Sequence, residues 1–230
     1  MTAIVLAGGF GTRLRHIVPD LPKPIAPVAG KPFLSFVLDW LSRNGVTHTI
    51  LATGYLADKI SDYFGGSYSN MRLSYSVETT PLLTGGAVKK ALGLCDDDSV
   101  FVINGDTYFD VPLPEMKRQF ELTNADAMLA VKEMRDFKRY GTLTIDNWRI
   151  TEFREKGPCE RGFINGGVCI LKRRLFDGFP AAFSLETDLF LKHTYDLELR
   201  AYPCEGYFID IGVQEDYERA QAEFATEVLL

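Results

Sequence analysis

The first half of the chain alternates between short apolar runs and apolar residues at helical spacing. Large apolar residues three and four positions apart over 33–41 predict an amphipathic helix, and Gly45 is placed to end it. The apolar runs and one alternating segment predict strands, and the order β-α-β-α-β-α-β is typical of a mostly parallel sheet covered on both faces. The predicted strands of this half are 3–6, 49–53, 73–77 and 99–103, and its other helices are 56–64 and a segment around 88–92.

The second half has shorter apolar segments and more turns. Asp146-Asn147 separates two short strands, which predicts a hairpin, and Thr187 is placed to cap the helix that follows it. No repeat, low-complexity stretch or linker divides the sequence, so we predict a single Rossmann-like α/β domain over 1–230, with a mixed, mostly parallel central sheet flanked by helices. The predicted strands are 127–133, 141–145, 150–154, 166–171, 200–204 and 208–211, and the helices are 114–122, 188–194 and 215–228.

The composition excludes several classes of protein. The 230 residues are 46% hydrophobic and carry a formal net charge of -6, so the chain can bury a full core and does not have the basic balance of a general nucleic-acid binder. Four widely separated cysteines and three scattered histidines give no metal-binding spacing. No apolar run is long enough to span a membrane and no signal-peptide pattern begins the chain, so we expect a cytoplasmic protein with neither nucleic-acid nor membrane partners.

A glycine-rich loop follows the first predicted strand. Its glycines allow backbone amides to approach an anion closely. Arg13 adds a planar fork of donors suited to phosphate oxygens, and Lys23 adds a point charge. The loop therefore predicts a phosphate-binding site, and its sequence is Leu6-Ala7-Gly8-Gly9-Phe10-Gly11-Thr12-Arg13, continued by Leu21-Pro22-Lys23-Pro24.

Two common nucleotide-binding motifs do not fit this loop. A P-loop requires a Lys-Ser or Lys-Thr pair after the glycines, and the dinucleotide motif requires a third glycine where Leu14 stands. The loop instead resembles, without a break, the G-G-x-G-T-R-L…P-K-P motif of the sugar-1-phosphate nucleotidyltransferases. Glycines alone would suit a plain strand–turn–helix junction, but the basic residues at this spacing favour the resemblance. It implies a GT-A-like fold with a nucleotide half over about 1–110 and a sugar-phosphate half over about 111–230.

Three loops follow the carboxyl ends of predicted parallel strands, where ligands bind in open α/β sheets. They are the glycine-rich loop, the segment Glu78 to Gly86 and the turn Asn104-Gly105-Asp106. Asp106 also suits an ordinary turn, whereas Asp210 lies in an apolar strand, where a carboxylate is costly unless it is paired or bound to a metal. Two carboxylates meeting at a triphosphate suit Mg²⁺.

The resemblance assigns residues to both substrates. It implies that Asp106 and Asp210 match the two metal-binding aspartates of the family and hold Mg²⁺. Glu155-Lys156 would otherwise be a surface ion pair, but the resemblance implies that Lys156 meets the sugar phosphate. The resemblance would also allow Glu186 to contact the sugar, but Leu185-Glu186-Thr187 suits the start of a helix equally well. The implied catalytic residues are Arg13, Lys23, Asp106, Lys156 and Asp210; the nucleotide-binding residues are Leu6, Ala7, Gly8, Gly9, Gly11, Thr12, Arg13, Lys23, Glu78, Thr84, Gly85 and Asp106; and the sugar-phosphate-binding residues are Tyr140, Gly141, Glu155, Lys156, Asn165 and Gly166.

The loop expected to bind the base departs from the family at one position. Leu83 stands where many members have a glycine, which changes the geometry expected for base recognition. Glu78 stands where relatives have Gln or Glu facing the base. A carboxylate accepts from the N1–H and the amine of guanine but has no donor for O4 of uracil or thymine. Guanine is therefore the favoured base.

The family's reaction needs no covalent intermediate on the enzyme. A sugar 1-phosphate oxygen attacks the α-phosphorus of a nucleoside triphosphate and pyrophosphate leaves, so positioning and charge neutralisation matter more than a catalytic His or Cys. The run Thr84-Gly85-Gly86-Ala87 and the ending Tyr207 to Gly212 resemble in particular the members that join GTP to D-glycero-α-D-manno-heptose 1-phosphate. Family members often associate, so the resemblance also allows a homo-oligomer.

Several alternatives stay open at this point. The same chemistry is compatible with a mannose-1-phosphate guanylyltransferase, or with a uridylyl- or thymidylyltransferase. A catalytically silent module that binds a sugar nucleotide is a different class, and retention of all five implied catalytic residues argues against it. A glycosyltransferase on a related fold usually carries an Asp-x-Asp metal motif, and Asn104-Gly105-Asp106 does not match it.

Overall fold

The computed structural model describes residues 1–9 and 21–226. Within these ranges the chain forms short and long strands, five α-helices, one π-helix and three 3-10 turns. The strands are β1 (Thr2–Leu6), β2 (Pro27–Val28), β3 (Lys31–Pro32), β4 (His48–Thr53), β5 (Ser67–Tyr68), β6 (Met71–Val77), β7 (Ser99–Asn104), β8 (Thr107–Phe109), β9 (Ala127–Phe137), β10 (Leu143–Asp146), β11 (Arg149–Phe153), β12 (Cys159–Lys172), β13 (Leu199–Pro203) and β14 (Phe208–Asp210). The helices are α1 (Phe33–Arg43), α2 (Ala57–Phe64), α3 (Leu83–Ala91), α4 (Leu113–Thr123) and α5 (Gln214–Phe224), with a π-helix at Leu185–Leu191 and 3-10 turns at Lys23–Ile25, Leu92–Leu94 and Arg173–Phe176.

Ten of these strands form one mixed sheet in the order β10-β11-β13-β9-β12-β7-β1-β4-β6-β5. β1 pairs in parallel with both β4 and β7, and β4 pairs in parallel with β6. The apolar runs of the first half are therefore central strands joined by helical crossovers, as their pattern predicts. Because these four strands run the same way, their carboxyl ends share one edge of the sheet.

The second half of the chain contributes mostly antiparallel strands. β12 pairs antiparallel with β7 and with β9, and β9 pairs in parallel with β13. β10, the strand at the edge of this half, also pairs with β12, where Leu143 lies opposite Phe163. The sheet is therefore strongly curved at this end. β12 begins at Cys159, well before the strand predicted over 166–171. Its pairing with β9 shifts register between Asn165 and Cys169, so an irregularity lies at the start of the predicted segment.

Helices cover both faces of the sheet. Side chains of α1, α2, α4 and α5, among them Trp40 and Phe224, pack into one buried cluster. Side chains of α3 and the π-helix, among them Val88 and Phe190, pack into a second cluster on the other face. These clusters confirm the predicted single α/β domain with a mixed central sheet flanked by helices. None of the helices in the described ranges is long and apolar enough to cross a lipid bilayer.

Two predicted helices have different ends in the structure. The helix predicted over 188–194 is the π-helix Leu185–Leu191. Its cap is Ser184, so the prediction of Thr187 as the cap is wrong. Ser184 Oγ accepts a hydrogen bond from Thr187 N at 3.2 Å, and the Asp188 carboxylate accepts one from Ser184 N at 2.8 Å. These reciprocal bonds have the logic of a capping box and start the helix earlier. The last helix, predicted over 215–228, is α5, and residues 227–230 lie outside the described ranges.

Candidate active site

A cleft of about 650 Å³ opens at the carboxyl edge of the parallel strands. The loops after β1, β4, β6 and β7 line it, as expected for ligand sites in sheets of this kind. The structure therefore brings together the three loops that sequence analysis placed at one edge. The predicted residues that line the cleft are Leu6, Ala7, Gly8, Gly9, Lys23, Glu78, Thr84 and Asp106, and the structure adds Gly54, Tyr55, Pro81, Leu83, Glu186 and Gly212, among others.

Gly8 is closely packed at the start of this loop. A Cβ at Gly8 would lie 2.9 Å from Oε1 of Glu78 and 3.3 Å from Gly54 N. Just before it, Ala7 N donates to Ala52 O at 2.8 Å, which extends the pairing of β1 with β4 into the loop. A side chain at position 8 would therefore displace the Glu78 carboxylate and press on the backbone of Gly54. The predicted nucleotide ligands Gly11, Thr12 and Arg13 lie outside the described residues.

Lys23 and Asp106 form an ion pair in the lining of the cleft. Lys23 opens the 3-10 turn Lys23–Ile25, and its Nζ donates to Asp106 Oδ2. Asp106 follows Gly105, whose N donates to Leu6 O at 2.9 Å and whose Cβ, if present, would lie 2.7 Å from the same oxygen. A glycine at 105 therefore lets the turn after β7 close against β1 and brings Asp106 to the glycine-rich loop.

Asp210 reaches the same place from the end of β14. β14 pairs antiparallel with β8, where Asp210 lies opposite Thr107, the residue after Asp106. Asp210 Oδ1 accepts from Gly212 N at 2.7 Å. Burial and the neighbouring Asp106 carboxylate raise the pKa of Asp210 above its ordinary value, while Lys23 opposes that shift. The two carboxylates thus interact directly through their charges, and Lys23 interacts with both of them.

Asp106 and Asp210 have the chemistry of a site for a hard divalent cation. Carboxylate oxygens are the ligands that Mg²⁺ prefers, and it commonly takes only one or two from the protein. The mutual repulsion of two half-buried carboxylates favours a cation between them. Within the described ranges, no cluster of three or more His, Cys, Asp or Glu residues is arranged to hold a metal.

The loop expected to bind the base is held by Glu78. Glu78 Oε2 accepts a hydrogen bond from Leu82 N at 3.0 Å, and Glu78 N donates to Thr53 O at 2.7 Å. One carboxylate oxygen is therefore used to shape the loop, while the carboxylate retains further acceptor capacity toward a ligand. This second role, the reading of a base, stays a prediction.

Thr84 and Gly85 are tied to the segment that precedes the π-helix. Thr84 Oγ1 donates to Glu186 Oε2 at 2.7 Å and accepts from Leu185 N at 2.9 Å. Gly85 N donates to Phe183 O at 2.9 Å, and a Cβ at Gly85 would lie 2.3 Å from the Phe183 ring. Gly85 therefore has a packing role, and its N–H is already bonded. Glu186 reaches the cleft through this contact, so the structure places a residue there that sequence analysis left undecided.

The predicted sugar-phosphate residues are not among those that line the 650 Å³ cleft. Glu155 and Lys156 are exposed in the loop between β11 and β12. A Cβ at Gly141 would lie 2.5 Å from Arg154 O, so Gly141 lets the chain before β10 lie against this loop. These three residues therefore share one loop cluster, and their contact with a sugar phosphate stays a prediction.

Asn165 and Gly166 lie in the irregular part of β12. Asn165 Oδ1 accepts from Gly167 N at 3.1 Å, so this side chain stabilises the bend. A Cβ at Gly166 would lie 2.4 Å from the ring of Phe109 in β8. Because β8 pairs with β14, this close packing connects the second half of the sheet to Asp210.

Arg139 and Asp216 form an ion pair that sequence analysis missed. Nη2 of Arg139 donates to Asp216 Oδ2 and lies 3.2 Å from the hydroxyl of Tyr140. Burial and the nearby charge of Asp210 raise the pKa of Tyr140 to about 12. Tyr140, a predicted sugar-phosphate residue, therefore lies beside the candidate metal site. No sequence signal identifies the pair, because its partners are 77 residues apart and each resembles an ordinary surface charge.

Comparisons with known proteins agree with this geometry. The family model described as Nucleotidyl transferase matches residues 2–227. The chain is 42% identical over 225 residues to the D-glycero-alpha-D-manno-heptose 1-phosphate guanylyltransferase of Aneurinibacillus thermoaerophilus, covering 97% of this chain and 98% of that protein. It is 41% identical over 219 residues to the protein of the same name from Campylobacter jejuni, covering 94% of this chain and 97% of that protein.

A solved structure extends the comparison to three dimensions. HddC from Yersinia pseudotuberculosis, complexed with GMP-PN, matches with a TM-score of 0.88 and 36% identity, covering 97% of this chain and 99% of that one. The similarity thus includes the parallel strands with their loops and the second half of the sheet. The family match over residues 2–227 also includes Lys23, Asp106, Lys156 and Asp210. This chain belongs to the nucleotidyl transferase family.

Proposed function

We propose that this chain transfers the guanylyl group of GTP to D-glycero-α-D-manno-heptose 1-phosphate and releases pyrophosphate. The observation that carries the proposal is the 42% identity, over nearly the whole of both chains, to a relative of that name. The cleft supports it because the glycine-rich loop, Lys23 and Asp106 meet at one edge of the sheet. The HddC structure holds GMP-PN, which agrees with a guanine nucleotide as one substrate.

The reaction is a displacement at phosphorus. A phosphate oxygen of the sugar 1-phosphate forms a bond to the α-phosphorus of GTP, the bond from that phosphorus to the β-bridging oxygen breaks, and pyrophosphate leaves with the electron pair. The attacking oxygen is already anionic, so no side chain has to remove a proton. The protein's part is to align the two substrates and to balance their negative charge.

The chain's own cations would supply much of that charge balance. The amides of Gly8 and Gly9, with Arg13 and Lys23, would hold the triphosphate. Lys23 pairs with Asp106 in the structure, so we infer that it exchanges this partner for a phosphate oxygen when GTP binds. Lys156, exposed between β11 and β12, would orient the phosphate of the sugar.

Asp106 and Asp210 would hold Mg²⁺ at the triphosphate. When bound, such an ion neutralises charge on the phosphate oxygens during the displacement. The fit depends on the two carboxylates, since burial and mutual repulsion raise the pKa of Asp210. Gly212 N, at 2.7 Å from Asp210 Oδ1, fixes the direction of one carboxylate.

Recognition of the base and the sugar would use different loops. Glu78 keeps acceptor capacity beyond its bond to Leu82 N, and we assign that capacity to the N1–H and amine of guanine. Tyr140, Gly141, Glu155, Asn165 and Gly166 would contact the sugar or its phosphate. The cytoplasm supplies nucleoside triphosphates, so it is the compartment that this reaction requires.

A pyrophosphate-release assay tests the proposal. Purified protein with Mg²⁺ is given each of four nucleoside triphosphates against heptose, mannose, glucose and N-acetylglucosamine 1-phosphates. We expect release with GTP and D-glycero-α-D-manno-heptose 1-phosphate, and loss of that release when Mg²⁺ is chelated. Release only with GTP and mannose 1-phosphate, or only with UTP or dTTP and a hexose 1-phosphate, would contradict the assignment of substrates while keeping the reaction. Absence of release with every pair would favour a silent binding module.

A further inference from the structure

Leu83 combines two unfavourable features at one position of the cleft. It begins α3 with φ +60°, a left-handed backbone conformation that a leucine rarely adopts. Its side chain is 57% exposed although it is large and apolar, and it lines the cleft. Strained backbone that persists at a cleft usually serves binding or catalysis there.

The surrounding contacts fix Leu83 in this conformation. On its amino side, Leu82 N donates to Glu78 Oε2 at 3.0 Å, and Leu82 O accepts from Phe183 N at 3.1 Å. On its carboxyl side, Thr84 Oγ1 accepts from Leu185 N at 2.9 Å. Leu83 is therefore a single strained residue between two anchored neighbours, and its side chain is held in the cleft before any ligand binds.

The chemistry of the Leu83 side chain indicates which part of a nucleotide would cover it. The same cleft carries the ion pair of Lys23 with Asp106, which suits phosphate. Leu83 belongs to the loop that Glu78 shapes, and its apolar side chain has no group that could bind a phosphate. A flat, largely apolar ring face is the part of a nucleotide that an exposed leucine can cover without leaving a polar group unpaired.

We propose that the Leu83 side chain packs against the face of the nucleobase, and that it favours purines because their two rings cover more of it. The proposal deepens the proposed function, since it requires a nucleotide in this cleft. Glu78 would contact the edge of the base and Leu83 its face. The left-handed backbone is then the means by which this chain presents a side chain at a position where glycine would present none.

Two substitutions separate the side chain from the backbone strain. Leu83→Ala removes the apolar contact but keeps a Cβ in the left-handed conformation, whereas Leu83→Gly removes both. We expect both variants to raise the Kd and KM for GTP by about five- to tenfold, in line with the loss of tens of Å² of buried apolar area. The KM for the sugar 1-phosphate should stay within about twofold of wild type, because a leucine at the base makes no contact with the other substrate. Only Leu83→Gly should also raise Tm, because it relieves the strain.

Two variants outside the cleft serve as matched controls. Leu122→Ala removes another exposed leucine, 68% exposed on α4, and Ser69→Gly relieves another left-handed residue, at φ +49° in the turn between β5 and β6. Both controls should bind GTP like wild type. Leu83→Ala with an unchanged Kd for GTP, or with an equal loss for purine and pyrimidine nucleotides, would overturn the proposal.

Calorimetric binding of the four nucleoside triphosphates, without the sugar phosphate, makes the test independent of turnover. If wild-type protein binds GTP but none of the sugar 1-phosphates leads to release of pyrophosphate, the proposed reaction is contradicted and the Leu83 proposal is not. Wild-type protein that binds no nucleoside triphosphate would overturn the Leu83 proposal as well.

Discussion

Lys23 and Asp106 are joined by an ion pair, so the turn that follows the glycine-rich loop is fastened to the carboxyl end of β7. The lysine is largely buried, with 13% of its side chain exposed, and the aspartate is 37% exposed. Asp210 adds a second carboxylate beside this pair. These three residues bring two carboxylates and one ammonium group together, which suits the cation proposed above.

Asp106→Asn should abolish Mg²⁺-dependent turnover. The amide keeps the shape of the side chain but removes one of the two charges proposed to hold the ion, so we expect kcat to fall by roughly 100- to 1000-fold. Pyrophosphate release measures the loss, and circular dichroism and thermal unfolding check that the fold is retained. Asp110→Asn, an exposed carboxylate just beyond β8, is the control and should stay active. Near-normal activity of Asp106→Asn would remove this residue from the metal site.

Lys156→Ala should weaken binding of the sugar phosphate more than that of GTP. Lys156 is exposed and outside the cleft that holds the predicted nucleotide residues. Removing a charged contact to a phosphate should raise the KM for the sugar phosphate by about tenfold or more. Steady-state kinetics with each substrate varied in turn measures the difference. Lys117→Ala, which loses only a surface pair with Glu121 at 3.7 Å, should behave like wild type. A larger change in the KM for GTP would place Lys156 at the other substrate.

Much of the architecture follows from local patterns in the sequence. The apolar runs of the first half predict central parallel strands, and the carboxyl ends of such strands meet at one edge, so the position of the cleft follows as well. The glycines at 8 and 105 are also explained by position, because each allows one loop to close against another. These features depend on the spacing of apolar residues and on the order of strands, helices and loops along the chain.

Other features depend on contacts that no local pattern records. Arg139 meets Asp216 across 77 residues, and Thr84 meets Glu186 across 102. The left-handed conformation of Leu83 is set by bonds on either side of it, where sequence alone shows only a missing glycine. In each case the residue type is compatible with several roles, and contacts made in the tertiary fold decide which role the residue has.

Asp216→Ala should destabilise the protein and weaken sugar-phosphate binding together. Its carboxylate is only 10% exposed and accepts from Arg139, which also lies 3.2 Å from the Tyr140 hydroxyl. Loss of the carboxylate leaves a half-buried guanidinium without its partner, which should cost about 2–3 kcal/mol in the free energy of unfolding. Tyr140 would lose its support, so we expect a higher KM for the sugar phosphate with little change for GTP.

Arg219 provides the control for this variant. It also pairs with Asp216, at 3.2 Å, but its side chain is 48% exposed. Arg219→Ala should therefore change the free energy of unfolding by less than about 1 kcal/mol and leave both KM values unchanged. Urea unfolding and steady-state kinetics measure the two effects. Equal effects of the two substitutions would show that the Arg139 contact has no special role.

Asp126 should make stability depend on pH in acid. Burial raises the pKa of Asp126, but the hydrogen bond from Glu198 N and the interactions with Arg174 and Lys172 lower it by more than burial raises it. The pKa of Asp126 therefore lies below its ordinary value. The carboxylate accepts from Glu198 N at 3.1 Å and from Arg174 at 2.6 Å. These contacts join the start of β9 to the segments before β13 and after β12. Because the folded pKa is the lower one, the charged carboxylate stabilises the fold at neutral pH, and this contribution disappears as the pH falls through that pKa.

Asp126→Asn isolates this contribution. At pH 7 the variant should be about 2 kcal/mol less stable than wild type, since it keeps the shape of the side chain but loses charge-assisted hydrogen bonds. The difference should narrow as the pH falls below the ordinary aspartate pKa of about 3.9, because the unfolded chain then takes up a proton at Asp126 while the folded chain keeps the charge until its lower pKa is reached. Urea unfolding at several pH values from 7 downward gives the comparison. Asp146→Asn, at the exposed turn between β10 and β11, should follow wild type at every pH. A deficit of Asp126→Asn that stays constant down to pH 3 would mean that packing, rather than charge, accounts for the role of this residue.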